Sequence, residues 1–467
     1  MSRYAAALDF GSSKIALAVG EKNDGGVKIV SYLDAPSAGI ECGEIVNDFK
    51  VEEIVRSLVE QTNAQLPEPI SEVTIGLSGR VLHSKDLPCQ ITRPNPTAYI
   101  LEDEVRQITR ARYKASVETD EAVFEAVPQK YSTEDRIGIT HEELIGMVGG
   151  QIDADFKIFY GRKSIRDRRV SIVEKCGLAP GKVILAPIAS ARACLSRPEM
   201  ENGVALVDIG KGLTEVAIIK DNIVRHVAII PFGGESVTGD IKSVANITRE
   251  WAETVKLRHG RCCEEYAVEN KKLVLKSEND TVEGEIEMSL LVRTVEARLS
   301  EILDAVRYVI EQSGYAGKIA AGVVITGGAS HHEDLIQLAS ALLGQKIRLA
   351  APQGAIENGS VEDAYDVYAA TAVGLVLESL DPKLSHAIDP KDVPAAATAA
   401  QAPSGESLFV EEEPEEVKPS AREERERRRQ EEKRRKQEEK ERKAREKANE
   451  KKGPSFIDML FSDNNNA

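Results

Sequence analysis

Two stretches of this chain, about two hundred residues apart, repeat one pattern: an apolar strand, an Asp-x-Gly turn and a second apolar strand. They are residues 7–19 and residues 206–218. A third strand pattern follows each of them, at residues 27–32 and at residues 222–230. Successive short apolar runs joined by tight turns are typical of antiparallel strands. The sequence therefore predicts two similar halves, each beginning with a three-stranded meander.

The first turn of each half carries an aspartate and a glycine, Asp9 with Gly11 and Asp208 with Gly210. A glycine lets backbone N–H groups approach phosphate oxygens closely. An aspartate can hold Mg²⁺ through water, because magnesium prefers oxygen ligands and keeps much of its hydration shell. A single Asp-x-Gly turn is weak evidence, since such turns are common. A pair of them, one heading each half, predicts a site that grips a polyphosphate from both sides.

A third element has the character of a nucleotide contact. Residues 322–330 read as a buried strand that ends in Gly327-Gly328-Ala329, and residues 331–343 read as a helix. The α-phosphate and sugar of a nucleotide can pack on such a glycine backbone and on a helix N-terminus.

A fourth element is the pair Glu253 and Lys256, which are three residues apart and share one face of a predicted helix. Together they can hydrogen-bond a ribose and a base. A surface ion pair is the alternative interpretation, and for this pair taken alone it is the stronger one.

These elements, in this order, resemble the phosphate-1, phosphate-2 and adenosine motifs of the actin / Hsp70 / sugar-kinase superfamily. Residues 184–191 and 368–375 are similar to its two connecting helices. Within that superfamily, residues 8–14, 231–241 and 325–329 resemble the bacterial FtsA cell-division family.

The resemblance implies an α/β fold, a duplicated ribonuclease-H-like (actin-like ATPase) body with an inserted subdomain called 1C. A linker, a charged helix and a terminal amphipathic helix follow the body in the family plan. The implied subdomains are 1A at residues 1–79, 163–198 and 356–380, 1C at 80–162, 2A at 199–235 and 313–355, and 2B at 236–312.

The resemblance also implies ATP and Mg²⁺ as ligands, with Asp9 and Asp208 holding the metal through water. The implied phosphate contacts are Gly11, Ser12, Ser13, Lys14, Gly210, Lys211, Gly212 and Thr214, and the adenosine contacts are Glu253, Lys256, Gly327, Gly328 and Ala329. Family members often have Glu or Gln before the proline of the first connecting helix, where it can orient an attacking water. Ala186 stands there in this chain, so at most weak ATPase activity is expected.

The family implies a peripheral protein on the cytoplasmic side of the inner membrane, at the division septum. It polymerises like actin and tethers the tubulin-like FtsZ ring. The C-terminal peptide of FtsZ is expected on subdomain 2B, where Arg293 and Arg298 in the amphipathic stretch 290–310 are candidate contacts for an acidic tail. A core-packed helix with solvated arginines is the alternative. Subdomain 1C is expected to serve self-assembly and later division proteins.

The C-terminal part changes composition three times. Residues 381–420 are rich in Pro, Ala, Ser and Glu and predict a disordered linker. Residues 421–452 hold 16 Lys/Arg and 10 Asp/Glu without an apolar seam, which predicts a solvated single helix or a disordered charged tail.

Residues 453–467 predict a short amphipathic helix. Its apolar face consists of Phe456, Ile457, Met459, Leu460 and Phe461. Burying these side chains in lipid gains little more than ordering the segment costs, so one tail is expected to bind anionic membrane weakly and reversibly. Asp458 within the helix weakens the expectation further, and a protein-docking helix is the alternative.

Composition excludes several other classes. The chain has a net charge of −16, which argues against nucleic acid as a main partner. It has no run of eighteen apolar residues, and its six cysteines form no C-x-x-C pair, so we expect neither a membrane span nor a zinc site. A pilus-assembly protein or a small-molecule kinase with the same fold stays open. An Hsp70-like chaperone does not, because no β-rich peptide-binding domain follows the body.

Overall fold

The computed structural model describes residues 4–263, 271–276, 279 and 281–388. The strands in this part of the chain are β1 (Tyr4–Phe10), β2 (Lys14–Asn23), β3 (Gly26–Pro36), β4 (Ile40–Glu41), β5 (Glu44–Ile45), β6 (Glu72–Leu77), β7 (His83–Thr92), β8 (Glu121–Ser132), β9 (Ile137–Ile139), β10 (Gln151–Arg162), β11 (Ala179–Leu185), β12 (Val204–Ile209), β13 (Thr214–Lys220), β14 (Ile223–Ile230), β15 (Lys272–Lys276), β16 (Val282–Glu287), β17 (Val323–Thr326) and β18 (Ile347–Leu349).

The α-helices in the same ranges are α1 (Asp48–Gln65), α2 (Glu102–Arg112), α3 (His141–Leu144), α4 (Lys163–Lys175), α5 (Ala186–Cys194), α6 (Arg197–Asn202), α7 (Gly234–Ala245), α8 (Arg249–His259), α9 (Met288–Gln312), α10 (Leu335–Leu343) and α11 (Ala370–Leu380). Short 3₁₀ helices lie at Gly328–His331, Pro352–Gly354, Glu362–Tyr365 and Val367–Ala369.

The two large sheets have the same topology. One has the order β3-β2-β1-β6-β11 and the other β14-β13-β12-β17-β18. In each, the first three strands along the chain are antiparallel and the last two run parallel to the first. The central strand β12 is buried along its whole length, which explains its continuous apolar sequence. This topology confirms the two similar halves that the repeated pattern predicts and the duplicated ribonuclease-H-like, actin-like fold that the resemblance implies.

Two helices that follow the core strands pack against each other. Helix α5 begins at Ala186, with Pro187 in its first turn, where a missing backbone N–H costs nothing. All of its residues are buried, and α11 lies along it. They occupy the positions predicted for the two connecting helices, although residues 184–185 belong to strand β11.

A four-stranded sheet, with the order β7-β10-β8-β9, lies between β6 and α4 along the chain. Its strands are antiparallel. It has a core of its own, which consists of Ile100, Val105, Ile108, Val123, Ala126, Tyr131, Ile139, Leu144, Ile152, Ala154, Phe156 and Ile158. Phe124, Val127 and Phe159 of the same strands belong instead to the core of the main body, so the insertion is packed against that body.

The prediction of a helix over residues 331–343 is wrong for its first four residues, 331–334. Gly328–His331 forms a 3₁₀ helix, and the α-helix begins only at Leu335. Asp334 has φ 71°, a left-handed conformation that an α-helix cannot contain. Its carboxylate is held by Arg261, with the Nε of Arg261 3.0 Å from Oδ2.

The linker predicted from residue 381 is also wrong in its first residues. Segment 381–388 is packed on the body, with the side chains of Leu384 and Ala387 buried. The carboxylate of Glu378, fully buried, accepts hydrogen bonds from the backbone N–H groups of Lys383, Leu384 and Ser385. These bonds fix a segment that composition alone would leave unfolded.

The remaining predictions for the C-terminal part lie outside the described residues. They are the linker from residue 389, the charged segment 421–452 and the terminal segment with Phe456, Ile457, Met459, Leu460 and Phe461. Within the described ranges, every helix is too short or too polar to cross a lipid bilayer.

Candidate nucleotide-binding cleft

A cavity of about 710 Å³ is lined by the Asp-x-Gly turns of both halves. The predicted site residues that line it are Asp9, Gly11, Ser12, Ser13, Lys14, Asp208, Gly210, Lys211, Gly212, Glu253, Lys256, Gly327, Gly328 and Ala329. Thr214 is placed elsewhere, because its side chain is fully buried and its hydroxyl donates to the carbonyl of Phe232 over 2.9 Å. The volume is in the range of pockets that hold a ligand of nucleotide size.

The two turns touch each other. The backbone N–H of Gly210 donates to Leu213 O over 2.9 Å, which closes the second turn. A Cβ at Gly212 would lie 3.0 Å from Ser12 Oγ, in the first turn. The absence of a side chain at Gly212 therefore lets the two turns face each other at contact distance.

Asp9 and Asp208 are buried carboxylates that affect each other. Burial, and then the charge of Asp208, raise the pKa of Asp9 to about 6. Burial also raises the pKa of Asp208, whose Oδ2 accepts a hydrogen bond from Ser190 over 2.8 Å. The hydroxyl of Ser190 is 2.9 Å from that of Thr371. Since Ser190 is on α5 and Thr371 on α11, both connecting helices hold the second aspartate in place.

Sequence reasoning missed a third acid in the cleft. Glu215 pairs with Asp208 in the register of β12 and β13, and it lines the cavity. Burial, and then the charge of Asp208, raise its pKa to about 8, and Ser78 Oγ donates to it over 2.8 Å. The register of the hairpin was the available signal, because a strand partner of Asp208 must lie beside the turn. In the first half, the residue that pairs with Asp9 is Ala16, so that half has no acid equivalent to Glu215.

The two lysines of the turns differ in their surroundings. Lys14 Nζ donates to Tyr32 OH over 2.7 Å and to Asp34 over 2.6 Å. Lys211 makes no ion pair with any residue that the structure describes, and it lines the cavity. A lysine with free N–H groups beside a glycine turn is suited to bind phosphate. Lys211 is therefore the stronger of the two phosphate candidates.

Lys256 is buried and all three of its N–H groups are used within the protein. They donate to Gly234 O over 3.1 Å, to Thr238 Oγ1 over 2.8 Å and to Glu253 Oε2 over 2.8 Å. Although burial raises the pKa of Glu253, the hydrogen bonds from Lys256 and Thr238 lower it below its ordinary value. Lys256 therefore holds Glu253 ionised and in position at the wall of the cleft.

One wall of the cleft is aromatic, and its side chains were not predicted as site residues. Tyr368 and His331 are stacked, with ring centroids 5.0 Å apart and planes at 27°. Both line the cavity. A Cβ at Gly328 would lie 2.9 Å from Tyr368 Cε1, so only glycine lets the ring lie on the backbone here. A flat wall of this kind can pack against a sugar or a base.

Gly327 has φ 85°, and a Cβ there would lie 2.3 Å from Asp208 Oδ1. Its backbone therefore packs directly on the second aspartate. Among the described residues, no group of three or more His, Cys, Asp and Glu side chains is arranged to hold a metal ion. A metal in this cleft would depend on water and on ligand oxygens as well as on the carboxylates.

Comparison with known proteins gives one family. The sequence profile described as Cell division protein FtsA matches residues 205–374. Cell division protein FtsA of Neisseria meningitidis serogroup B is 27% identical over 377 residues, which are 80% of this chain and 89% of the relative. That of Escherichia coli strain K12 is 28% identical over 377 residues, 79% of this chain and 88% of the relative.

This chain is similar in sequence to the FtsA cell-division proteins. A solved structure, the PilM-PilN type IV pilus biogenesis complex, covers 81% of this chain and 99% of its own at a TM-score of 0.57 and 16% identity. That likeness shows a shared fold and nothing of function. The FtsA profile begins in β12 and ends within α11, so it includes Asp208, Lys211 and Glu253.

The two arginines predicted as FtsA partner contacts both lie on α9, in different surroundings. Arg293 is exposed. Arg298 is half-buried, and its guanidinium donates to both oxygens of Asp240 over 2.6 and 3.0 Å and to Glu301 over 2.8 Å. Arg298 thus has internal acidic partners that an acidic peptide would have to displace.

Proposed function

We propose that this chain is an actin-like, ATP-binding cell-division protein that polymerises and tethers FtsZ to the cytoplasmic face of the inner membrane at the division septum. The observation that carries the proposal is the contact of two equivalent Asp-x-Gly turns, one from each half, across a single cavity. Its relation to FtsA supports the role in division. Recruitment of later division proteins is proposed for the inserted subdomain.

The residues of the cleft fit a magnesium-bound nucleotide. The N–H groups of the two glycine turns and the free ammonium of Lys211 offer donors to phosphate oxygens. Asp9 and Asp208 offer acceptors to the water shell of Mg²⁺, which would neutralise two carboxylates that are costly to ionise when buried together. Glu253 and the backbone of Gly327 and Gly328 would receive the nucleoside.

Hydrolysis is proposed to be slow. The side chain at the start of α5 is the methyl group of Ala186, which lines the cleft and offers no acceptor to a water molecule. ATP therefore acts in this proposal as a ligand that favours assembly, because it bonds to both halves and holds them together. A ligand that binds one conformation better shifts the population towards it.

Membrane attachment is proposed for the terminal segment, on its sequence alone. Five large apolar side chains lie among residues 456–461, and basic residues just before them add about 1 kcal/mol each near anionic lipid. One such tail binds weakly, but a polymer that carries many tails binds far more tightly through effective concentration. Assembly and membrane attachment would thus depend on each other.

FtsZ binding is proposed for the surface near α9. The exposed guanidinium of Arg293 suits the acidic tail that FtsZ proteins carry. Arg298 would contribute only after exchange of its bond to Asp240.

Titration with Mg-ATP by calorimetry tests the cleft. Asp208→Asn is expected to weaken binding at least tenfold, because it removes a charge beside the metal. Asp86→Asn is the matched control, since Asp86 is exposed on β7, in the inserted sheet. Equal affinity of the wild type and Asp208→Asn would show that the cleft does not bind ATP in this way.

Co-sedimentation with anionic liposomes tests the membrane part separately. The full chain is compared with a chain that ends at Lys452, each with and without Mg-ATP. We expect only the full chain to pellet, and more of it with Mg-ATP. If both chains stay in solution, the membrane proposal is wrong, whereas the nucleotide proposal depends only on the calorimetry.

A further inference from the structure

A second, smaller cavity of about 60 Å³ lies outside the cleft, where the inserted sheet ends and α4 begins. Three arginines line it, Arg162, Arg168 and Arg169, together with Ser164 and Glu44. A water molecule needs roughly 10–15 Å³ measured in this way, so the cavity has room for a compact ion of a few heavy atoms.

Arg169 is the buried member of the three, with 1% of its surface exposed. Its guanidinium donates to Ile165 O over 2.7 Å, to Gly43 O over 2.7 Å and to Ser78 O over 2.8 Å. Its Nε has no hydrogen-bond partner among the described residues. This Nε is itself closed off from solvent, so Arg169 contributes its positive charge to the cavity that it lines rather than a free donor.

The N-terminus of α4 contributes to the same cavity. Arg162 is its N-cap residue and Ser164 lies in its first turn. No side chain caps this end in the described structure, and the first turn has no acidic residue. The first N–H of α4, that of Lys163, already donates to Asp120 O over 2.9 Å, and the N–H groups that follow it favour an anion. The hydroxyl of Ser164 adds another donor.

The charges around the cavity are mixed but mainly positive. Arg162 and Arg168 are exposed, and Arg168 donates to Ile45 O. The side chain of Glu44 opposes an anion, since it is the acidic residue of the lining. Asp9 and Glu215, which are outside the lining, also interact electrostatically with Arg169. Three guanidinium groups against one carboxylate leave the lining with an excess of positive charge.

We propose that this cavity binds a phosphate group, either the free ion or a small phosphomonoester. Guanidinium groups bind phosphate with charge-assisted, often bidentate hydrogen bonds. A helix N-terminus binds the same group through its backbone N–H groups. Arg169 adds its buried positive charge beside the site, and the exposed Arg162 and Arg168 supply guanidinium donors from the solvent side. The proposal does not depend on nucleotide binding in the cleft.

The test is calorimetric titration of the full-length protein with inorganic phosphate and, separately, with glycerol 3-phosphate, in chloride buffer. The double variant Arg162→Gln/Arg168→Gln should lose at least tenfold in affinity. Arg166→Gln is the matched control, because Arg166 is on the same helix, pairs with Asp167 and does not line the cavity. Glu44→Gln should bind at least twofold more tightly. Arg169 is left intact, since it ties three backbone carbonyls together.

The cleft variant Lys211→Gln separates the two sites. Lys211→Gln removes only phosphate that is bound in the cleft, so the binding that the double arginine variant loses should persist in it. If Lys211→Gln weakens binding and the double arginine variant does not, the ion sits in the cleft and the proposal is overturned. It is also overturned if binding is weaker than about 10 mM, or if the arginine variants bind as well as the wild type. Tighter binding of glycerol 3-phosphate than of phosphate would identify a phosphomonoester as the ligand.

Discussion

Gly374 of α11 lies directly on the carbonyl of Ala189 in α5. A Cβ at Gly374 would be 1.8 Å from Ala189 O, well inside any permitted contact. The two connecting helices therefore cross backbone to backbone. The same crossing brings Ser190 and Thr371 together beside Asp208, so the helix contact also fixes one wall of the cleft.

Gly374→Ala is expected to destabilise the protein by about 2–3 kcal/mol or more, because overpacking forces the two helices apart. Gly239→Ala is the matched control, since Gly239 is also inside a helix and has no atom near its would-be Cβ. This control should gain up to about 1 kcal/mol from helix propensity. Urea unfolding followed by circular dichroism measures both. Equal stability of the two variants would contradict the tight crossing.

Lys256→Met is expected to lower the free energy of unfolding by about 1–3 kcal/mol, because it leaves Gly234 O and Glu253 without their buried donor. This loss is smaller than that expected for a fully buried ion pair, because Glu253 is partly exposed. Lys242→Met, at an exposed lysine near the end of α7, should have almost no effect. Mg-ATP affinity should fall with Lys256→Met as well, since Glu253 loses its fixed position. An unchanged affinity would remove Glu253 from the nucleoside site.

Tyr368→Ala is expected to weaken Mg-ATP binding about 5- to 50-fold, because stacking on an aromatic ring contributes about 1–3 kcal/mol per base. Stability should change little, since the ring is 42% exposed. The control is Tyr99→Ala, at an exposed tyrosine before α2. Fluorescence titration with a labelled nucleotide gives the affinities. If both variants bind like the wild type, the nucleotide does not use the wall that Tyr368 forms with His331.

Glu125→Gln is expected to flatten the dependence of stability on pH. Burial raises the pKa of Glu125 from 4.5 to about 7, so the folded state keeps a proton that the unfolded state loses above pH 4.5. The stabilisation is complete below that pH and is lost as pH rises through 7, by up to about 3 kcal/mol. Unfolding in urea at pH 5 and pH 7.5 measures it. A variant with the same pH dependence as the wild type would mean that Glu125 is ionised throughout.

The elements that sequence predicts best are those in which local pattern and tertiary position agree. Asp9 and Asp208 were predictable because apolar strands and glycine turns place them without reference to the rest of the chain. The three-stranded meander at the start of each half followed from the duplication. The starts of the two connecting helices were placed to within two residues, and in the first of them Pro187 marks the helix start.

The residues that sequence missed depend on contacts between distant parts of the chain. Glu215 enters the cleft through strand register, and Tyr368 through its position on Gly328. Thr214 was predicted as a phosphate contact because it closely follows the second Asp-x-Gly turn. It belongs to β13, and its hydroxyl donates to Phe232 O. Asp334 interrupts a predicted helix because Arg261, seventy-three residues earlier, holds it. Of these, only Glu215 had a local signal, its place opposite Asp208 in the β12–β13 hairpin.

Segment 381–388 has a mechanical consequence. Its hydrogen bonds go to Glu378 at the end of α11 and to Glu125 in the inserted sheet, where the N–H of His386 is 2.7 Å from Glu125 Oε1. A tension applied at residue 388 would therefore act first on these two carboxylates, one at the end of α11 and one in the inserted sheet. The segment thus ties the inserted sheet to the second connecting helix.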